Sequence, residues 1–218
     1  MHSMWAGISA MSNIAEFANQ DCQPNCAAAY IWPVIERLLG GIRLSEKRAF
    51  DVGCGNGAMA NKLSQLAFEV TGVDPSETGV AQAQKAFPHL RVATGSGYDD
   101  LAARFGTFPL VISLEVIEHC YYPRKLAKTC FDLLAPGGVL ILSTPYHGYL
   151  KNLALGVFGQ WDRHADPPLW DGGHIKLFSA ATFTRLLTQT GFFDISVYRA
   201  GRIPPLAKTM IAVGHKTL

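Results

Sequence analysis

Short apolar runs rich in β-branched residues alternate along this chain with segments whose apolar positions recur every three to four residues. RAFDV at 48–52, EVTGVD at 69–74, LRVATG at 90–95, PLVISL at 109–114 and GVLILST at 138–144 read as strands, as do DISVYR at 194–199 and TMIAVGHK at 209–216. The period between them predicts helices over Ala58 to Ala67, Glu77 to Ala86, Pro123 to Leu134 and Ala180 to Thr190. Strands separated by helices bury both faces, the mark of a parallel sheet. The last two strands are joined only by GRIPPLAK, too short for a crossover, so they should pair antiparallel. The expected fold is therefore α/β and doubly wound, with seven mostly parallel strands, an antiparallel last strand and helices on both faces.

Three places interrupt the alternation. Ala27 to Leu39 reads as helical segments broken by Pro33, because an interior proline lacks an N–H and crowds the preceding turn. Gly137 and Gly138 are expected to end the helix before the fifth strand and turn the chain into it. Tyr146 to Phe178 interposes about thirty residues rich in aromatics, glycines and histidines, and such long insertions are commonly lids or binding loops. We divide the 218 residues into a tail at 1–26 and one domain at 27–218, with 146–178 its lid or substrate-binding insertion.

Bulk properties narrow the class. A hydrophobic fraction of 49% with 17% charged residues is that of a globular domain with a full core. A formal net charge of +2 leaves no nucleic-acid footprint, and the group Arg37, Arg43, Lys47 and Arg48 reads as a solvated helix end. Five cysteines without a CxxC pair read as free thiols of a reducing compartment. Cys22 and Cys26 have no second ligand pair at zinc-site spacing. MHSMWAGISAMSN lacks a basic n-region, and no apolar run reaches membrane-spanning length, so the expectation is cytoplasmic.

The candidate chemistry centres on AFDVGCGNG at 49–57. An apolar strand carries an acid, Asp51, then enters a loop with glycines at 53, 55 and 57 that can approach a ligand with bare backbone. The loop empties into a helix N-terminus, whose free amides and dipole favour an anionic group. Asp74 ends the second strand seventeen residues after Gly57, where a carboxylate accepts hydrogen bonds from both ribose hydroxyls. Gly53, Gly55 and Ala58 also satisfy GxGxxG/A, so this turn alone leaves a nicotinamide dinucleotide open.

Joined with VISLEVIEH, LLAPGGVLILSTP and the terminal strand pair, the chain resembles class I S-adenosylmethionine-dependent methyltransferases from about Tyr30 to Lys216. Within them it is most similar to the small-molecule O-methyltransferases of the ubiquinone pathway, through ExxEH after strand four and the insertion after strand five. The resemblance implies a Rossmann-like sheet and S-adenosylmethionine as cofactor. It implies that Gly53, Cys54, Gly55 and Gly57 line the methionine half, that Asp51 fixes the loop or meets the ammonium, and that Asp74 takes the ribose. The Pro75 and Ser76 backbone borders the adenosine, the Gly97 amide the ring, and the Leu114 carbonyl the ammonium. Many relatives carry an acid after strand three that contacts the adenine amino group. This chain has Ser96 there, with Tyr98 or Asp99 as substitutes.

Methyl transfer from a sulfonium is an in-line displacement that asks the protein mainly for alignment and desolvation. A base is needed where the acceptor is a hydroxyl. The candidates are His119 and His147, with His164 and His174 in the insertion. Glu115, Glu118 and His119 stand at i, i+3 and i+4, one face of a helix, and the ubiquinone-pathway likeness associates this trio with a divalent metal. YLKNLALGVFGQW reads as an amphipathic segment that, with Trp161 and Trp170, packs on the domain, closes over a lipophilic acceptor or touches a membrane. SLEV follows strand four where base-directed amino-methyltransferases have (N/D)PP(Y/F), which argues against nucleic acid. The expected function is O-methylation of a small, lipophilic or aromatic molecule. An NAD-dependent oxidoreductase and a catalytically silent cofactor-binding domain are the alternatives; oligomeric state is not encoded in any of these motifs.

Overall fold

The computed structural model of this chain describes residues 27–160 and 173–218. Cys22, Cys26, Trp161, His164 and Trp170 lie outside them. In chain order the elements are α1 (Ala28–Gly41), β1 (Arg48–Val52), α2 (Ala58–Gln65), β2 (Glu69–Asp74), α3 (Glu77–Ala86), β3 (Arg91–Thr94) and α4 (Leu101–Phe105). There follow β4 (Phe108–Leu114), α5 (Pro123–Leu133), β5 (Leu134–Pro145), α6 (Tyr149–Val157), α7 (Ala180–Thr190), β6 (Phe193–Ala200) and β7 (Thr209–His215).

The seven strands form one sheet in the order β3-β2-β1-β4-β5-β7-β6, with β7 antiparallel to both neighbours and the other pairs parallel. Two apolar cores flank it. Ile31, Ile35, Leu63, Val80 and Ala83 carry α1, α2 and α3 on one face; Leu101, Leu126, Leu133, Phe183 and Leu187 carry α4, α5 and α7 on the other. The anticipated two-sided sheet is the observed one. No helix among the described residues is long and apolar enough to cross a membrane.

Local signals account for the helix starts. Ser76 Oγ accepts from the Gly79 N–H at the start of α3, and Ser179 forms a capping box with Thr182 at the start of α7. Both helices run over the expected residues. α4, five residues started by the Asp100 side chain, is too short to show a period and was not anticipated.

Two expectations are corrected. Pro33 does not break α1, which is continuous. Its ring and the Ala29 carbonyl that loses a partner both face solvent, while Ile31 and Ile35 on the inner face hold the helix down. Gly137 and Gly138 do not precede the fifth strand. β5 already pairs at Leu134 with Phe108, then bulges before Val139 meets Leu110, so the glycines sit inside the irregularity.

Candidate functional site

Strand order turns between β1 and β4, and in open α/β sheets the crevice beyond the strand ends at such a switch point receives the ligand. The 53–57 loop lies there. The Gly53 and Cys54 amides donate to the Val73 carbonyl at 2.8 and 3.0 Å, which ties the loop to β2. Gly53 has φ +84°, and a Cβ on it would stand 2.5 Å from Val116 Cγ2, so only glycine lets the loop touch the chain leaving β4. Gly57, φ +77°, starts α2, and a Cβ there would meet Ala83 of α3 at 2.8 Å. Its glycine is therefore required for helix packing.

Asp74 joins the two halves of the crevice. One oxygen accepts from the Gly55 amide at 2.8 Å and the other from the Ser76 amide at 2.9 Å. Each keeps a lone pair for a ligand hydroxyl. Asp51 is buried, and burial first, then the neighbouring Asp74 charge, pushes its carboxyl up to about 8. Cys54 is likewise pushed well above the ordinary thiol range by burial and both aspartates, so it acts as an apolar wall. Past β3, Asp99 turns back to accept from the Ser96 amide at 2.7 Å, and the Tyr98 hydroxyl accepts from the Tyr122 amide at 3.0 Å. Gly97 packs against Leu126 of α5. Leu114 ends β4 half-buried, in register with Ser143.

Beyond β4 a second set of groups gathers. The expected single helical face for Glu115, Glu118 and His119 is not what forms. Glu115 has φ +56°, and the helical turn begins only at Ile117, as a short 3-10 turn to His119. The Glu115 carboxylate instead accepts from Ser143 Oγ at 2.8 Å and Thr209 Oγ1 at 3.2 Å, two hydroxyls on strands that local spacing does not bring in. Burial raises it to about 7, against those hydrogen bonds and the charge of Lys151.

Glu118 is buried, and burial together with the Glu115 charge lifts its carboxyl well above the ordinary range. Neither of its oxygens nor the Thr144 hydroxyl makes a hydrogen bond of ordinary geometry, although Thr144 stands close enough to ease the charge. The Ile175 and Lys176 amides donate to the Glu118 carbonyl at 2.9 and 3.0 Å, stitching the return of the insertion onto this turn. His174 thereby meets His119, ring centroids 4.9 Å apart. Glu118, His119 and His174 each bring one ligand atom to within 4.8 Å of the others. A buried carboxylate beside two imidazoles, with His119 Nε2 4.0 Å from Glu118 Oε1, is a donor set suited to a divalent cation.

His147 follows β5, its amide donating to the Phe178 carbonyl at 3.2 Å. Burial and then the Lys151 charge lower its pKa, which keeps a neutral, proton-accepting ring at neutral pH. Lys151 itself is buried, its Nζ 2.7 Å from the Tyr146 carbonyl, and burial lowers it to about 8.

Among known proteins, a family model described as a methyltransferase domain matches residues 26–197. A ubiquinone biosynthesis O-methyltransferase of Caulobacter sp. (strain K31) is 36% identical over 116 residues, 51% of this chain and 46% of that protein. One from Vibrio parahaemolyticus is 26% identical over 168 residues, 75% of this chain and 70% of its own. The chain spans about half the length of most of the curated relatives it matches. Magnesium protoporphyrin IX methyltransferase from Synechocystis PCC 6803, solved with bound SAH, superposes at TM-score 0.62 and 20% identity over 86% of this chain and 82% of that one. A methyltransferase from Mesorhizobium loti does so at 0.63 and 19%, over 85% and 97%. At these identities the structures share the fold.

Proposed function

Because this chain belongs to the methyltransferase-domain family, we propose that it carries the methyl group of S-adenosylmethionine to an oxygen of a small, lipophilic or aromatic molecule. The observation that carries the reading is the crevice at the switch point, where Gly53 lets the loop pack against Val116, Asp51 lies just before that loop and Asp74, at the end of β2, accepts from its Gly55 amide. Those residues fit the donor. Asp51 is a buried acid that a nearby cation would ionise, and the donor is cationic. Asp74 has lone pairs for the ribose; the Gly53–Gly57 loop lies along the methionine half; Pro75, Ser76 and the Gly97 amide border the adenosine, and the Leu114 carbonyl the ammonium. The nicotinamide alternative lapses with family membership.

When bound, the donor supplies a methyl group already activated on sulfur. The chain has to align the acceptor oxygen, exclude water and take one proton. His147, beside the rim of β5 and with its pKa lowered by burial, would accept it. His119 is a second base, or joins Glu118 and His174 around a divalent cation that would lower the pKa of a phenolic hydroxyl. Glu115, held by Ser143 and Thr209, acts on that set through its charge. The insertion at 146–178 would cover the acceptor, and the domain would extend over 27–218. The ubiquinone-pathway relatives support oxygen as the accepting atom.

Thermal shift with S-adenosylhomocysteine and with NAD, followed by mass-spectrometric detection of methylated phenols and catechols, tests this reading. Stabilisation by the first ligand alone is expected. Asp74→Ala should weaken that binding by at least about tenfold through the lost ribose contact, whereas His119→Ala should spare binding and lower turnover. Unchanged affinity in Asp74→Ala would sink the pocket assignment; cofactor binding without turnover on any acceptor would favour the silent domain. Full activity after exhaustive chelation would remove the cation.

A further inference from the structure

At the end of the strands opposite the crevice, a cavity of about 400 Å³ opens between Arg48, Glu69, Thr71, Arg91, Arg104 and Phe108. Arg48, Glu69 and Arg91 are the first residues of β1, β2 and β3. Register sets Arg48 beside Glu69 and Thr71 beside both Phe50 and Arg91, so alternation puts these side chains on the sheet face that carries α4. Arg104 and Phe105, at the end of α4, form the facing wall.

The arginines here are only partly engaged. Arg91 pairs with Glu69 at 2.9 Å and Arg48 with Glu46 at 2.6 Å. Arg48 also donates to the Thr107 carbonyl at 3.2 Å, and Arg104 to the Thr94 carbonyl at 3.0 Å. A guanidinium has five N–H groups, so these bonds leave most of its donors for a ligand. Aromatic rings hold two of the forks in place, Arg48 over Phe108 at 5.0 Å and Arg104 over Phe105 at 4.7 Å. The same rings, with Val92 and Ala93, give the cavity apolar walls. Thr71 is an independent sign of a ligand. It is 7% exposed and lines the cavity, yet its hydroxyl makes no hydrogen bond among the described residues. A buried hydroxyl without a partner carries a desolvation cost that a bound acceptor would remove.

We propose that this cavity binds a small amphipathic oxyanion. Its apolar body lies against Phe105 and Phe108, and its phosphate or carboxylate group takes forked hydrogen bonds from Arg91 and Arg104 and one from the Thr71 hydroxyl. Even with Glu46 counted, guanidinium groups outnumber carboxylates around the cavity, which favours an anion over a cation. Its volume is that of a pocket for a small organic molecule. Because the cavity opens at the far end of the strands, it stands apart from the crevice, and the inference does not depend on the reaction proposed above.

Calorimetry of the purified full chain with phenyl phosphate, benzoate, inorganic phosphate and neutral benzyl alcohol, each with and without S-adenosylhomocysteine, tests it. Phenyl phosphate or benzoate should bind, the tighter of the two identifying the oxyanion, and S-adenosylhomocysteine should leave that binding unchanged. Inorganic phosphate, with nothing to set against the rings, should bind more weakly, and benzyl alcohol not at all. Arg91→Gln with Arg104→Gln should weaken the binding at least about tenfold. Thr71→Val keeps the shape of the side chain and should weaken it roughly fivefold. The Tm of that variant should be equal or raised, since no hydrogen bond within the chain is lost. No binding of either organic anion, equal binding of inorganic phosphate, or competition by S-adenosylhomocysteine would overturn the proposal. So would unchanged affinity in the arginine pair or in Thr71→Val, or a lowered Tm in Thr71→Val.

Discussion

At the scale of single residues, the crevice depends on atoms that are missing. Gly53 combines a left-handed φ with a Cβ position 2.5 Å from Val116 Cγ2, so Gly53→Ala meets backbone strain and a clash together. We expect a stability loss of about 1–3 kcal/mol in denaturant titration and a larger loss of donor affinity in calorimetry. Adding Val116→Ala should relieve only the clash; full recovery in the double variant would show that φ at this position carries no cost. Glu115 is the opposite case. Its spacing to Glu118 and His119 is helical in the sequence, but its φ of +56° sends the carboxylate to Ser143 and Thr209, residues 28 and 94 positions away. No local pattern encodes hydroxyls at that distance.

At the scale of elements, capping chemistry decided which boundaries could be read. α7 starts on the reciprocal Ser179–Thr182 pair and ends at Gly191 with φ +113°, so both ends are written within a few residues of the helix. Ser179→Ala should cost about 1 kcal/mol, seen as a fall in Tm of roughly 2–4 °C; an unchanged Tm would show that packing of Phe183 and Leu187 alone sets the helix start. Pro33 was misread because propensity describes an isolated helix, whereas α1 lies on a sheet that buries Ile31 and Ile35. Pro33→Ala should restore a hydrogen bond to the Ala29 carbonyl and leave Tm equal or raised by a few degrees; a marked fall would point to a role for the proline ring.

For the whole molecule, the crevice proposed to take the donor stores an electrostatic cost. Asp51 is raised to about 8 by folding, so between the ordinary aspartate range and about 8 the folded chain holds a proton that the unfolded chain has released. Its contribution to stability is complete below the unfolded pKa and is lost as pH rises towards 8. The Tm of the cofactor-free protein should therefore fall from about pH 5 to about pH 8, and Asp51→Asn should flatten the fall. A bound cation offsets the Asp51 charge, so S-adenosylmethionine should stabilise most near the upper end of that window. An identical pH profile in Asp51→Asn would remove the buried aspartate from the account. The sheet that creates this crevice was legible: its alternation of strands and helices, its antiparallel closing pair and the glycine turn after Asp51 are short-range patterns, whereas the bond from the Gly55 amide to Asp74 spans 19 residues. Those short-range patterns follow from backbone chemistry and burial period, which act within a few residues. The bulge at Gly137, the meeting of His119 with His174, the partners of Glu115 and the burial of Lys151 against the Tyr146 carbonyl depend on which segments the fold brings side by side. Contacts of that kind come from packing between chain positions far apart, where no spacing along the chain can record them.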